Sequence, residues 1–157
     1  MEHVASVDAP SGCFLCLDDD VGADAERLIV RRGKGAFVIL NRFPYNNGHV
    51  MVVPRAHVAR PEDLGAAGWA SLAALLSQTI AILREAYGPD GLNLGMNLGS
   101  AAGAGVADHI HWHVVPRWEG DTNFMPVLAD TKVIPQHLSE TREDLATRFA
   151  SANQEPE

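Results

Sequence analysis

The first half of the chain alternates apolar runs with turn residues and then changes to a helical pattern. Strands are predicted at 28–32, 36–41 and 49–54, because each run is rich in apolar residues and is bounded by Gly, Asn or Pro. Between Pro61 and Tyr87 the apolar residues recur at steps of three and four, which predicts a helix with one buried face. A Gly-Pro pair then ends that helix.

The second half returns to strand patterns and ends in another helix. Residues 92–98 and 109–115 alternate apolar with polar or small residues, as half-buried strands do. A second helix is predicted from Pro135 to Phe149, with its apolar residues on one side. Strands placed before and after one long helix favour an α+β fold with a largely antiparallel sheet.

One domain accounts for these elements. We expect it to span 13–150, since 157 residues is the size of one ordinary domain and no internal repeat is visible. The segments 1–12 and 151–157 are polar or rich in turn residues and are expected to be flexible termini.

Composition and charge restrict the partners. The formal net charge is -8, which disfavours broad nucleic-acid binding because that affinity comes mainly from clustered Lys and Arg. No apolar run approaches the roughly 18 residues that a membrane helix needs, and the N-terminus lacks the pattern of a secretory signal. We therefore expect a cytoplasmic protein that binds a small molecule, with neither nucleic acid nor membrane as a partner.

Three histidines share one face of the predicted strand 109–115. His109, His111 and His113 are spaced by two residues, and alternate residues of a strand point to the same side. The apolar residues between them would then face the core. Neutral imidazole serves as a metal ligand, a nucleophile or a proton shuttle, so the spacing alone does not choose among these roles.

Two longer segments resemble the histidine-triad (HIT) family of nucleotide hydrolases and transferases. They are LNRFPYNNGHVMVVPRAH at 40–57 and HIHWHVVP at 109–116. The segment VVPRWEGDTNF at 114–124, with KVIP at 132–135, is similar to the bacterial branch that hydrolyses or phosphorolyses diadenosine polyphosphates. The resemblance implies a HIT-like fold and attack on the α-phosphorus of a dinucleoside polyphosphate, such as diadenosine tetraphosphate, or of a related nucleotide.

The resemblance also implies a role for individual residues. His111 matches the nucleophile, which forms a covalent nucleotidyl intermediate that water or phosphate then resolves. His113 matches a residue that contacts phosphate and holds the ring of the nucleophile, and His49 matches a histidine that supports the same site. Asn41 matches a residue that binds the ribose. Apolar neighbours of Asn41, such as Phe37 and Ile39, are expected to enclose the base.

A loop rich in Gly and Ala, 99–105, leads into the histidine strand. Small residues let backbone N–H groups approach phosphate oxygens closely, so Gly103 and Gly105, together with Asn97, are candidate phosphate-binding residues. Many family members carry Gln and then Ser or Thr shortly before the triad, where this chain has Gly105 and Val106. The missing side-chain donors leave open whether water or phosphate accepts the nucleotidyl group.

Four residues form a candidate zinc site. Cys13 and Cys16 are spaced as CxxC, which in a chain without a secretory signal favours a metal or redox role over a structural disulfide. His57 and His109 match the histidines that complete the site in zinc-bearing relatives. The resemblance thus implies a structural zinc that fixes the histidine strand without touching the substrate, and no organic cofactor. Two reduced structural cysteines are the alternative.

Several activities fit these features. A hydrolase or nucleotidyl transferase acting on dinucleoside polyphosphates is the leading interpretation, and a phosphorylase that uses inorganic phosphate is the nearest alternative. A nucleoside phosphoramidate hydrolase, a non-catalytic nucleotide-sensing module and a histidine-rich protein with metal at His111 and His113 also fit. Arg42, Arg55 and Arg117 border the predicted pocket segments. The resemblance further implies a homodimer formed through sheet extension and the long helix.

Overall fold

Five strands form one sheet in the computed structural model, which describes residues 12–121 and 137–152. The strands are β1 (Ile29–Arg32), β2 (Ala36–Leu40), β3 (Val50–Pro54), β4 (Gly91–Gly95) and β5 (Trp112–Arg117). Their order across the sheet is β1-β2-β3-β5-β4, and every neighbouring pair is antiparallel. The predicted α+β class with a largely antiparallel sheet is confirmed.

Two α-helices pack on this sheet within the described residues. The long helix α1 (Gly65–Tyr87) follows a short 3-10 turn and contacts β2 and β3, and α2 (Leu138–Ala152) contacts β1 and α1. One face of α1 is buried at the predicted steps of three and four residues, through Leu72, Leu75, Thr79, Ile82 and Leu83. Every residue of β2 and β3 is buried, so the core lies at the centre of the sheet beneath the helices.

The apolar character of α1 exceeds what its core contacts require. Among the described helices, α1 alone is long and apolar enough to cross a membrane. The mean hydropathy of its most apolar 18 residues is 1.5, and 28% of them are buried. The exposed positions of α1 are mainly small residues: Ala66, Ala67, Ala70, Ala73, Ala74, Ser77 and Ala81. The helix therefore carries a core-facing stripe and, opposite it, an exposed face of small residues.

Strand β5 begins three residues later than the alternation predicts. β3 ends at Pro54, which has no N–H to continue the ladder, and β5 pairs with β3 from Val52 opposite Trp112 onwards. Before that point the Ile110 N–H donates to the carbonyl of Val58, at 2.9 Å. His109 to His111 are therefore held by the segment after β3 and not by the ladder.

The other boundaries differ from the prediction at strand β4 and at the C-terminal helix. β4 ends at Gly95, before a loop in which Gly99 and Gly103 take left-handed φ values of 78° and 84°. Helix α2 continues to Ala152, because 150–152 are good helix formers without Gly or Pro. Residues 1–11, 122–136 and 153–157 lie outside the described residues, and so do the predicted helix start at Pro135, most of the flexible termini and part of the bacterial-branch motif.

Candidate active site and candidate metal centre

Two histidine clusters lie at opposite ends of the β3–β5 pair. Because the strands are antiparallel, His49, just before β3, approaches His113, with 3.0 Å between Nε2 and Nδ1. His57, which follows β3, approaches His109, with 3.3 Å between the two Nδ1 atoms. The pairing of two neighbouring strands thus sorts four of the predicted site residues into two groups.

His49 is neutral and its proton can be placed. The side chain is fully buried, and this burial, together with the neighbouring His113, lowers the pKa of His49 to about 3. The backbone N–H of Tyr45 donates to Nδ1 at 3.0 Å, so the single ring proton is on Nε2. His49 Nε2 therefore donates to His113 Nδ1.

That hydrogen bond also fixes the tautomer of His113. Its Nδ1 accepts the proton of His49, so neutral His113 carries its own proton on Nε2. Burial, and to a smaller extent the nearby His111, lower the pKa of His113, which favours this neutral form. His113 consequently presents an N–H donor at the end of a chain that begins at a backbone amide.

His111 presents the complementary atom. The side chain is 5% exposed, and its Nδ1 lies 2.9 Å from the carbonyl oxygen of His109. A carbonyl oxygen only accepts, so the proton is on Nδ1 and Nε2 keeps a lone pair. The ring centroids of His111 and His113 are 5.0 Å apart. A potential nucleophile, just before β5, and an N–H donor, in β5, therefore lie side by side.

A cavity of about 350 Å³ adjoins this cluster at Asn41. Its walls are mostly apolar, with two arginines and Asn41 as polar groups; the lining residues are Phe14, Arg27, Leu28, Ile39, Leu40, Asn41, Arg42, Phe43 and Met51. Ile39 lines the cavity, and its contact with a base stays a prediction. Phe37, two residues earlier, is fully buried in the core and does not line the cavity, so this expectation was wrong. A cavity of this size and character suits a small organic ligand.

Asn41 begins a turn and also lines the cavity with its amide group. Its Oδ1 accepts the backbone N–H of Phe43 at 2.9 Å, which makes it the first residue of a turn. Its Nδ2 lies 3.4 Å from His49 Nε2, and since that nitrogen carries a proton, the two donors do not bond to each other. The amide group, whose other neighbour is the weakly accepting Met51 Sδ at 4.0 Å, is thus available to a ligand in the cavity.

The loop that precedes β5 is shaped by its glycines and by Asn97. Gly99 and Gly103 occupy the left-handed region, where a side chain would be strained, and Asn97 Nδ2 donates to the Gly103 carbonyl at 3.4 Å. Gly105 is different, because its φ is outside the left-handed region and an added Cβ there would meet no atom within 4 Å. Neither crowding nor backbone conformation explains glycine at this position. The phosphate-binding roles of Asn97, Gly103 and Gly105 stay predictions.

The candidate metal centre joins the N-terminal segment to the segment after β3 and to the segment before β5. The side-chain ligand atoms of Cys13, Cys16, His57 and His109 lie within 4.8 Å of one another. His109 Nδ1 is 3.5 Å from Cys13 Sγ and 3.7 Å from Cys16 Sγ, and Cys16 Sγ is 3.3 Å from His57 Nδ1. Zinc bonds of about 2.0–2.3 Å place ligands roughly 3.3–3.8 Å apart in a tetrahedron, so these residues fit zinc.

The protonation of the centre also suits a cation. His109 Nε2 donates to the Pro54 carbonyl at 2.9 Å, which leaves the Nδ1 lone pair directed at the cysteines. Burial, followed by the neighbouring Cys13, raises the pKa of Cys16 to about 11, so a thiolate there requires a nearby positive charge. Among the described residues, the group suited to a metal leaves out His111 and His113, which does not favour the histidine-rich metal-protein alternative.

Two sets of contacts around the site have no local signal in the sequence. The Tyr45 ring stacks on His49 with centroids 4.8 Å apart, in addition to the backbone hydrogen bond to its Nδ1. Asp121 accepts from Asn46 Nδ2 at 2.7 Å and from Arg117 Nη2 at 2.6 Å, which ties the turn before β3 to the end of β5. Arg117 is thus engaged away from the cavity, whereas Arg42 lines it.

The three arginines predicted to border the pocket lie in different surroundings. Arg55 Nε donates to the Gly33 carbonyl at 3.0 Å, at the turn between β1 and β2. Arg42 is the member of the three that lines the cavity.

Comparisons with known proteins agree with this geometry. Residues 23–120 match the HIT domain family. The AP-4-A phosphorylase of Mycobacterium tuberculosis H37Rv is 47% identical over 128 residues, which are 82% of this chain and 66% of that protein. This chain thus spans slightly less than two thirds of that relative. An uncharacterized HIT-like protein of Methanocaldococcus jannaschii is 36% identical, over 69% of this chain and 81% of that protein.

A solved structure supports the same fold. It is a zinc-bound histidine triad family protein from Mycobacterium smegmatis, with a TM-score of 0.65 and 28% identity, covering 80% of this chain and 86% of that one.

Proposed function

Because the chain belongs to the HIT domain family, we propose that it is an enzyme that transfers a nucleotidyl group from a dinucleoside polyphosphate through a covalent intermediate on His111. The observation that carries this proposal is the hydrogen bond from His111 Nδ1 to the His109 carbonyl, at 2.9 Å. It holds the free lone pair on Nε2, which is the atom that must attack. The similarity to a protein named AP-4-A phosphorylase supports the substrate class.

In the first step the Nε2 lone pair of His111 attacks the α-phosphorus. A P–N bond forms, the P–O bond to the remaining polyphosphate breaks, and the leaving nucleotide departs with the electron pair. The His111 ring becomes positively charged, because it gains the P–N bond and keeps its Nδ1 proton, and the His109 carbonyl stabilises that charge. The Nε2–H of His113 is available to an oxygen of the reacting phosphate or of the leaving group.

In the second step an acceptor attacks the same phosphorus and releases His111 with its lone pair restored. Water must lose a proton, and His113 can take it only after donating its own Nε2 proton in the first step. Inorganic phosphate arrives as an anion and needs no such base. Phosphorolysis is therefore the second candidate, and the name of the 47% identical relative favours it.

The cavity beside Asn41 is the proposed nucleoside site. Its apolar walls suit a base, and the free amide of Asn41 suits a ribose hydroxyl. The loop 99–105 is the proposed phosphate cradle, because its small residues and the open space around Gly105 leave room for an anion beside the backbone N–H groups. Arg42, at the cavity wall, offsets substrate charge.

Zinc is the proposed occupant of the Cys13, Cys16, His57 and His109 centre. Bound there, it would cross-link the N-terminal segment to the start of the histidine strand, a structural contribution. The zinc-bound neighbour from Mycobacterium smegmatis supports this identity of the metal.

A homodimer is the proposed assembly. β4 is an edge strand of the described sheet. Leu94, in β4, is 42% exposed, and Leu98, in the loop after it, is 49% exposed. The exposed small-residue face of α1 adds a second apolar surface. Both surfaces suit a second copy of the chain. Light scattering is expected to give twice the monomer mass, and Ala73→Glu to halve it; a monomeric wild-type protein would contradict the proposal.

Product analysis tests the reaction. The pure protein is incubated with diadenosine tetraphosphate, with and without inorganic phosphate. Attack on the α-phosphorus predicts AMP and ATP when water is the acceptor, and ADP and ATP when phosphate is. Consumption of adenosine 5′-phosphoramidate instead would indicate the phosphoramidate hydrolase. AMP binding with turnover no faster than in His111→Gln would indicate a sensing module and contradict catalysis.

A further inference from the structure

The four residues of the turn 13–16 direct their side chains to three different surroundings. The Cys16 N–H donates to the Cys13 carbonyl at 3.1 Å, which closes a tight turn whose thiols face His57 and His109. Leu15 is fully buried in the core. Phe14 is 60% exposed and lines the proposed nucleoside cavity. The same short turn therefore belongs to the candidate metal centre and to the cavity wall.

A second exposed aromatic side chain lines this cavity. Phe43 is 72% exposed and follows Asn41 by two residues, next to the amide proposed for the ribose. Two aromatic rings that are mostly exposed and share one cavity provide surface on which a planar base can stack. Leu28, Ile39 and Met51 are buried or nearly so and form the inner part of the cavity.

The described contacts that hold the Phe14 backbone are few. Arg27 Nη2 donates to the carbonyls of Phe14 and Cys16, at 3.2 and 2.8 Å, and Arg27 Nη1 contacts Asp18 Oδ2 at 3.2 Å. The turn is part of no helix or strand. Its remaining tethers are the buried Leu15 and the two cysteine side chains, so the position of Phe14 depends on what those thiols bind.

We propose that the metal-loaded centre positions Phe14 as an aromatic wall of the nucleoside cavity, so that metal loss weakens nucleotide binding more than it slows turnover at saturation. This inference rests on the proposed function, because it takes a base as the occupant of the cavity. It revises the expectation that the metal acts on the histidine strand alone. The bonds from the metal to the two cysteines affect nucleotide binding through Phe14. The bond from the metal to His109 supports the position of His111.

Isothermal titration with AMP tests the wall in zinc-loaded protein. Phe14→Ala is expected to raise the Kd about ten-fold, within the range for loss of one stacking side chain, and Phe14→Tyr to restore most of the affinity. Val21→Ala is the matched control, because Val21 is 67% exposed on the same segment and does not line the cavity. A Kd for Phe14→Ala equal to that of the wild type overturns the proposal.

Metal dependence is tested by removing zinc from the wild type and from Phe14→Ala. Chelation is expected to raise the AMP Kd of the wild type about ten-fold and that of Phe14→Ala less than about two-fold, because the wall is already absent. Equal weakening of both proteins, or none in the wild type, contradicts the coupling. Metal content and circular dichroism are recorded for each sample.

A reciprocal measurement covers the case in which metal-free protein unfolds. Linkage requires that AMP tighten zinc binding in the wild type by the factor by which zinc tightens AMP binding, and that Phe14→Ala abolish most of this effect. Zinc affinity that is indifferent to AMP, or equally sensitive in both proteins, refutes the inference. Zinc-loaded wild-type protein that neither binds AMP nor consumes diadenosine tetraphosphate refutes the proposed function instead.

Discussion

The two histidine clusters lie at opposite ends of the same pair of strands, yet the ring nitrogen that carries the lone pair differs between them. In the metal centre, His109 donates from Nε2 to the Pro54 carbonyl and presents the Nδ1 lone pair. In the proposed catalytic cluster of His49, His111 and His113, His111 donates from Nδ1 to the His109 carbonyl and presents Nε2. Backbone carbonyls thus decide which nitrogen each ring presents, and the neighbouring atoms decide what that nitrogen meets.

The neighbours differ in kind. The Nδ1 atoms of His57 and His109 face two sulfur atoms, at distances that suit a tetrahedral metal. Around His111 the described partners are another imidazole and a backbone carbonyl, and the adjoining cavity offers no thiol. A histidine cluster is therefore a ligand set or a nucleophile site according to its surroundings. Replacing one residue of each cluster tests whether the two clusters have different roles.

The largest expected effect is at the nucleophile. His111→Gln keeps a similar volume but removes the attacking lone pair, so kcat for diadenosine tetraphosphate is expected to fall by at least about 10⁴-fold. Acid-quenched reactions with labelled substrate should trap a nucleotidyl-protein in the wild type and none in the variant. Zinc content should be unchanged, because the metal centre does not include His111. Normal turnover in this variant would show that His111 is not the nucleophile and that the two clusters do not differ in this role.

The next effect is on stability at the metal centre. Cys13→Ser removes one thiolate. The variant is therefore expected to lose the zinc-dependent stability of the wild type, which is about 4 kcal/mol when free zinc is 1,000 times its Kd. Denaturant unfolding with and without zinc measures this difference, and elemental analysis measures the metal. At saturating nucleotide, kcat should stay within about three-fold of the wild type. A kcat loss as large as that of His111→Gln would mean that the metal takes part in the chemistry.

The smallest effect concerns the buried partner of the catalytic cluster. Native His49 stays neutral down to about pH 3, whereas an unfolded histidine is protonated below about pH 6.5. Between these values the unfolded state binds one more proton, so this contribution to stability is complete above about pH 6.5 and is lost as the pH falls. The free energy of unfolding of the wild type should therefore fall more steeply than that of His49→Gln, by about 1.4 kcal/mol per pH unit. Parallel slopes for the two proteins, measured by denaturant unfolding from pH 7 to pH 4, would show that His49 is not held neutral.

Local patterns in the sequence were sufficient for most of the elements, and the family resemblance was sufficient for the grouping of the candidate metal ligands. The step of three and four residues located the buried face of α1, and the match to zinc-bearing relatives identified His57 and His109, which the structure brings to Cys13 and Cys16. Such signals are short-range or are carried by motifs. The fold class and the family followed from them.

The rest depends on contacts between distant residues. Asn46 and Asp121 are 75 positions apart, and nothing in either segment indicates their hydrogen bond. Periodicity placed Phe37 and Ile39 on the same face of β2, but only packing shows that Phe37 is in the core and Ile39 at the cavity. The start of β5 at Trp112 likewise depends on Pro54, a residue of another strand.

The carbonyl of His109 is a backbone atom, and that has an evolutionary consequence. Point mutation can replace the ring at position 109, and with it a metal ligand, without deleting the acceptor that keeps the His111 proton on Nδ1. A variant with apolar residues in place of the two cysteines and of His109 would keep this acceptor, and with it an unprotonated Nε2 on His111. The tautomer of His111 therefore depends on the path of the backbone, whereas the candidate metal centre depends on the identity of four side chains.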